Sequence, residues 1–329
     1  MIRQPSTIEF VAFCLQQSPG VGPVTLRAAL SRIAREGLSP EAFLSLDDRA
    51  LQSRFALKPP GIASLRQPDA GTLSTWNRLR ADFVKILLLG QPGYPQRLAS
   101  LLPGAAPPLL FVLGNLDLFR HPAVAFCGSR KASDKGLQAA RDCARLLAAE
   151  RINVVSGYAH GIDLAVHRAA LEAGGATTLV LAEGVLQFRL KEQLRDLVTE
   201  DDLSRLLVVS EFPPGLPWLA HNAMARNHTI CGLSQAMIVI ESGLEGGTFE
   251  AGKTALEIGE PLFCVEYADP SPAAAGNPYF LRHGAFSLKR SRNGQPNLAK
   301  VISVVRNGAS AIQKPSPQSE FMLREDPEP

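Results

Sequence analysis

Residues 123–163 read AVAFCGSRKASDKGLQAARDCARLLAAERINVVSGYAHGID. The stretch opens with Ala123–Cys127, an apolar run too short for a helix and closed by Gly128, which is the signature of a buried strand. Leu137–Ala149 then places apolar residues at helical intervals, and Asn153–Ser156 returns to a short apolar run ahead of a second glycine. Strand, crossover helix and strand at this spacing make a right-handed βαβ unit with parallel strands.

The same alternation continues outward. Apolar runs recur at Thr177–Leu181, Leu206–Ser210, Met237–Glu241 and Pro261–Glu266, and helical spacing recurs at Leu164–Ala173 and Phe249–Ile258. Upstream, Val84–Leu89 and Leu109–Leu113 read as strands, with Gly93-Tyr94-Pro95 as a turn. The predicted class is α/β, a parallel sheet buried under flanking helices. Before it, Ile8–Gln17, Val24–Arg35, Glu41–Ala56 and Ser64–Asp82 read as helices, broken at Lys58-Pro59-Pro60-Gly61. The expected organisation is a helical domain over 1–82, an α/β domain over 83–305, and a disordered tail over 306–329, where Pro, Ser and charge dominate.

Bulk properties narrow the function classes. Of 329 residues, 46% are hydrophobic and 20% charged, values of a soluble globular protein. A net charge of +3 permits a local phosphate-binding patch without requiring one. Aromatics at 6% argue against a surface built mainly on base stacking. The five cysteines are scattered, so buried reduced thiols are expected rather than a zinc knuckle or disulfide framework. With no secretory leader pattern and no apolar run of membrane-spanning length, a cytoplasmic protein without membrane partners is expected.

Ligands of open parallel sheets bind beyond the carboxyl ends of the strands, so the residues after each strand carry the chemistry. Gly128-Ser129-Arg130-Lys131 offers a close backbone approach, a hydroxyl and a charged fork, ahead of a helix N-terminus able to hold an anion. Taken alone, it is as compatible with a plain strand-to-helix turn. Ser156-Gly157 with Gly161 makes a second loop open to phosphate, in which Asp163 is better suited to capping the next helix than to catalysis. His167 has no second ligand at a suitable spacing, so no metal site is expected. Arg226-Asn227-His228 precedes a short apolar segment, and Gly246-Gly247-Thr248 forms a third anion cradle, with Thr248 also a candidate N-cap. Pro19-Gly20-Val21-Gly22 between two helices has the form of a helix-hairpin-helix turn. With only Arg27 and Arg32 nearby, an interhelical turn is the favoured reading. A short basic run, Lys289-Arg290-Ser291-Arg292, is read first as a solvated face.

In order along the chain these motifs resemble the DprA/Smf family of DNA-processing proteins. The likeness runs over about residues 8–290. It is carried by Tyr94-Pro95-Gln96-Arg97-Leu98, Pro107–Phe111, Gly128-Ser129-Arg130, Val155–Asp163, Ser210–Gly215, Arg226-Asn227 and Gly232-Leu233-Ser234. The resemblance implies an extended Rossmann-like domain that binds single-stranded DNA and helps load RecA recombinase during natural transformation. It also implies a homodimer, no hydrolytic activity, no catalytic residues and no cofactor. The three glycine loops and Arg226-Asn227 then line a pocket for DNA phosphates. This chain carries His228 where the family usually has a second arginine, which makes that cation dependent on pH. It also lacks the Tyr-Pro expected around Gln187-Phe188, and Glu241 and Glu245 flank the third cradle. An alternative is a nucleotide-binding enzyme or sensor of the phosphoribohydrolase type, with Glu250, Glu241 and Glu245 as candidate acid/base groups near Gly246-Gly247-Thr248.

Overall fold

The computed structural model describes residues 7–199, 203–291 and 294–308. Arg292 and almost all of the expected tail lie outside the described residues.

Six helices lead the chain: α1 (Ile8–Gln17), α2 (Pro23–Arg35), α3 (Pro40–Ser45), α4 (Asp48–Phe55), α5 (Pro59–Arg66) and α6 (Ala70–Ala81). Two of the expected helices are each split. Asp47 accepts from the Ala50 amide at 2.7 Å, and Asp69 accepts from the Thr72 amide at 2.6 Å. Each aspartate starts a new helix by capping it, which apolar periodicity cannot register. Pro59 opens α5 instead of only ending a run, because the first helical residue has no use for its N–H.

The remainder builds β1 (Lys85–Leu88), α7 (Gln96–Leu101), β2 (Leu109–Gly114), β3 (Ala123–Cys127), α8 (Asp134–Ala149), β4 (Asn153–Ser156), α9 (Ile162–Glu172), β5 (Thr177–Val180) and β6 (Leu206–Ser210). It continues through α10 (Ala220–Gly232), β7 (Ala236–Val239), α11 (Gly247–Glu257), β8 (Leu262–Val265), α12 (Asn277–Arg282), β9 (Phe286–Leu288) and α13 (Ala299–Asn307). The strands form one sheet in the order β1-β2-β6-β5-β4-β3-β7-β8-β9. β6 through β9 run parallel, while β1 and β2 extend that edge antiparallel. The α/β Rossmann-like class is therefore correct, with an antiparallel edge that strand runs alone do not reveal.

Helices cover both faces. α8, α9 and α13 bury a layer against β3, β4, β7 and β8, centred on Phe126, Leu147, Val166 and Val301. The buried face of α8 is mostly small (Gly136, Ala139, Ala140, Cys143, Ala144, Ala148), so α9 packs close to it. α10, α11 and α12 cover the opposite face through Ile230, Cys231, Ala255 and Phe280. The N-terminal helices share a further buried layer with β1 and β2, in which Phe13, Phe43 and Phe111 are fully enclosed. All five cysteines are buried and free.

The chain leaves β3 toward β4, β5 and β6 on one side, then crosses to β7, β8 and β9 on the other. Its direction reverses between β3 and β7, where the loops at their carboxyl ends part and open a crevice.

Candidate nucleic-acid interface

Two adjoining cavities open at that crevice. The first, about 340 Å³, is lined by Gly128, Ser129, Arg130, Asp163, Arg226, Asn227, Glu245, Gly247 and Thr248 among others. The second, about 430 Å³, shares Arg130, Ala159 and Arg226 with the first and adds Tyr158, Glu183, Arg189, Lys191 and Trp218. Together they hold four cationic side chains (Arg130, Arg189, Lys191, Arg226) and three carboxylates (Asp163, Glu183, Glu245).

Arg226 forms the floor. It lies on α10, is 8% exposed, and its guanidinium passes directly over Gly157, whose Cβ position it would occupy. Its nearest carboxylate oxygen is Asp163 Oδ2 at 3.9 Å, and its Nε has no hydrogen-bond partner among the described residues. Burial pushes the guanidinium down from its ordinary value, opposed by Asp163 and Glu183. Burial likewise pushes Asp163 up, opposed by Arg226 and by hydrogen bonds from Ser156 and Ala159. An arginine stays protonated under these conditions. Arg226 is thus a buried cation with unused hydrogen-bonding capacity, a state favourable only where an anion completes it.

Asp163 does not cap α9, as its position in sequence suggests. Gly161, at φ +79°, is the N-cap, and Asp163 sits inside the first turn. There it accepts from Ser156 Oγ at 2.9 Å and faces Arg226. His167, one turn on, is fully buried. Its Nε2 lies 2.5 Å from the Gly157 carbonyl, which can only accept, so the neutral ring carries its proton there and Nδ1 faces Thr177 Oγ1 at 2.7 Å. Burial drives its pKa down to about 3. It braces the Gly157 loop.

The glycines act differently from what their sequence suggests. A Cβ on Gly128 would strike Ile162, and one on Gly161 would strike the Ser129 and Arg130 carbonyls. These residues let two loops cross in contact. Ser156 is fully buried and its hydroxyl points inward to the Phe126 carbonyl and Asp163. Ser156, Gly157 and Gly161 therefore position Arg226 and the first loop and do not line the first cavity.

The three helix N-termini also differ. That of α8 is occupied by the protein's own anion: Glu241 accepts from Ser133 N at 2.8 Å and Ser133 Oγ at 2.5 Å, and Ser271 Oγ donates to it at 2.9 Å. The Glu241 carboxylate fills the space a Cβ of Gly136 would need. The amides expected to serve a phosphate after Gly128-Ser129-Arg130 are therefore already engaged, and Glu241 has no free lone pair pointed at the crevice for acid/base work. The start of α11 is different. Its N-cap is Gly246, at φ +92°, with no side-chain cap, so Thr248 lies within the first turn and the Gly247 end faces the first cavity. An uncapped N-terminus beside a buried arginine suits an anion.

Other expected residues fall elsewhere. Lys131 is exposed and lines neither cavity. Arg226 and His228 are two residues apart on one helix, about 200° around it, and His228 faces away into a separate apolar cavity with Glu211, Thr229 and the α1–α2 turn. The sequence pattern did not register α10 as a helix, and so did not separate these two side chains. Arg27 donates to the Gly104 and Ala106 carbonyls, and Arg32 pairs with Glu36, so neither cation beside the α1–α2 turn is free. Glu250 pairs with Lys253 at 2.8 Å on α11 and lines neither cavity.

Several residues now in the crevice carried no sequence signal. Trp218 is 46% exposed, and the Arg130 guanidinium lies 5.2 Å from the centre of its ring. Lys191 Nζ lies 4.3 Å from the Tyr158 ring centre. Asn277 ties the strand ends together, donating to the Ile240 and Val265 carbonyls at 2.8 Å each and accepting from Ser242 N at 2.9 Å.

A crevice of this form at the switch point of a parallel sheet agrees with what related chains establish. The family model for DNA recombination-mediator protein A matches residues 85–295. The chain belongs to that family. DNA processing protein DprA of Streptococcus pneumoniae is 35% identical over 209 residues, covering 63% of this chain and 71% of that protein. Protein Smf of Escherichia coli is 34% identical over 205 residues, 62% of this chain and 54% of Smf; this chain thus spans about half of that relative. Among solved structures, the S. pneumoniae DprA superposes with a TM-score of 0.71 at 27% identity, over 86% of this chain and 95% of that one. DNA processing protein A of Helicobacter pylori, described for its single-stranded DNA binding mode, shares the fold with a TM-score of 0.52 at 22% identity, over 62% and 90% of the two chains. No helix among the described residues is long and apolar enough to cross a membrane.

Proposed function

We propose that this member of the family binds single-stranded DNA in the switch-point crevice, holding backbone phosphates without hydrolysing them. The observation that carries the reading is Arg226, a buried guanidinium with an unpartnered Nε at the floor of a cavity, under the uncapped start of α11. Arg130 at the rim supplies a second, mobile cation, and Gly128-Ser129, Asn227 and Gly247-Thr248 supply polar walls. A charge balance of four cations to three carboxylates makes this a weak electrostatic trap, so affinity depends on a few placed contacts. The family membership and the H. pylori relative's binding of single-stranded DNA support the ligand class.

The finer role follows the same line: a cytoplasmic homodimer that protects incoming single strands and helps load RecA. Binding of single- and double-stranded oligonucleotides, followed by fluorescence anisotropy across a salt titration, tests the first claim. Preference for the single strand, lost with Arg226→Ala in a variant that keeps its melting temperature, is the expected result. Sedimentation tests the dimer. RecA filament growth on strands already coated by a single-strand-binding protein, with and without this protein, tests the loading role.

A further inference from the structure

The second cavity has a composition that phosphate binding alone does not explain. It combines a half-exposed indole, a tyrosine, three further cations beside Arg226, and one carboxylate. Phosphate contacts need cations and amides; a tryptophan and a glutamate serve a different partner.

We propose that this cavity takes one guanine base of the bound strand, stacked on Trp218 with its Watson–Crick edge on the Glu183 carboxylate. The proposal rests on the single-stranded DNA reading of the neighbouring site and names the base which that strand places here.

Three observations support it. Trp218 is among the few exposed large apolar side chains of the described residues, and it stands at the crevice. Arg130 lies against its ring and also lines the phosphate cavity, so one residue joins the two sites. A base stacked beside a guanidinium–indole pair is the usual platform for single strands. Glu183, at the turn after β5, lines the cavity and is half-buried. Arg226 and Lys191 lie near enough to hold its charge, yet no ion pair closes on it among the described residues.

An ionised carboxylate is acceptor-only with two oxygens. Of the four DNA bases only guanine offers two adjacent donors, N1–H and N2–H₂, on its Watson–Crick edge. Adenine and cytosine each pair one donor with an acceptor. Thymine flanks its single N–H with two carbonyls. A carboxylate in this position therefore favours guanine and repels the other three, by about tenfold for a good bidentate pair.

The full chain is titrated with a run of deoxythymidines and with the same run carrying one central deoxyguanosine, by anisotropy and by tryptophan emission. Trp76 is buried, so quenching by a stacked base reports Trp218. The expected result is roughly tenfold tighter binding of the guanine-bearing strand, with quenching that Trp218→Phe removes. Glu183→Gln, close in size, levels the two affinities. Equal wild-type affinity for both strands, or a preference that survives Glu183→Gln, overturns the proposal while leaving the phosphate site intact. If neither strand binds, the phosphate reading has failed and the base subsite with it. GMP added alone distinguishes the source: quenching at the same concentration as the strand would assign the cavity to a free guanine nucleotide and overturn the strand-borne base.

Discussion

Arg130→Ala is the most direct test of the crevice. Arg130 is exposed and holds no described ion pair, so its removal leaves the core untouched. Each phosphate neutralised on a single strand contributes about 0.7 to the slope of log affinity against log salt. The crevice has four cations, two of which (Arg226 and Lys191) lie near the Asp163 and Glu183 carboxylates. Between two and four phosphates are then neutralised, which gives a wild-type slope of about −1.4 to −2.8. Arg130→Ala lowers the magnitude by about 0.7, which at 0.1 M salt is roughly a fivefold loss of affinity, with the two lines converging near 1 M. Fluorescence anisotropy with an oligodeoxythymidine at five or six salt concentrations measures both quantities. Arg120→Ala is the control. Arg120 is 85% exposed by side chain and just precedes β3, at the opposite end of the parallel strands, so it changes net charge equally without touching the crevice. If Arg120→Ala flattens the slope as much as Arg130→Ala, affinity comes from overall charge and the localised site is refuted.

Three other outcomes follow from the geometry. Gly157→Ala places a methyl group where the Arg226 guanidinium lies, so it should abolish single-strand binding and lower stability by about 1–3 kcal/mol, read by anisotropy and urea melts. His228→Ala leaves the salt slope and its pH dependence unchanged, because His228 faces the other cavity; a shift in binding between pH 6 and 8 lost with this variant would place it at the DNA. His167 has a folded pKa of about 3 against 6.5 unfolded. Below pH 6.5 only the unfolded chain takes up its proton, so this residue's contribution is full above pH 6.5 and falls away toward pH 3. Relative to His167→Gln, the wild type should lose about 2 kcal/mol of stability between pH 7 and pH 5, measured by denaturant unfolding at both pH values.

Much of the fold was legible in the chain. Ala123–Cys127, Asn153–Ser156 and Leu206–Ser210 appear as strands at the bounds their apolar runs set, because a strand buried on both faces has no polar residue to blur its edges. Capped breaks were less visible: Asp47 and Asp69 each divide one apolar period into two helices through a single side-chain bond. β9 and α13 went unread, the first for its three residues and alternating burial.

The candidate site divides along the same line. The sequence by itself determined which loops follow the parallel strands, and so brought Gly128-Ser129-Arg130, Arg226-Asn227 and Gly247-Thr248 to one crevice. Only the tertiary structure decided what each group does there. Glu241 reaches the start of α8 and removes that helix as an anion site. The turn of α10 sends Arg226 inward and His228 away. Trp218 and Glu183 meet across strands β5 and β6. Strand periodicity is a local property, fixed by neighbouring residues in the chain. Whether a charge is free or already paired depends on partners tens to more than a hundred residues distant, as the 108 positions between Ser133 and Glu241 show.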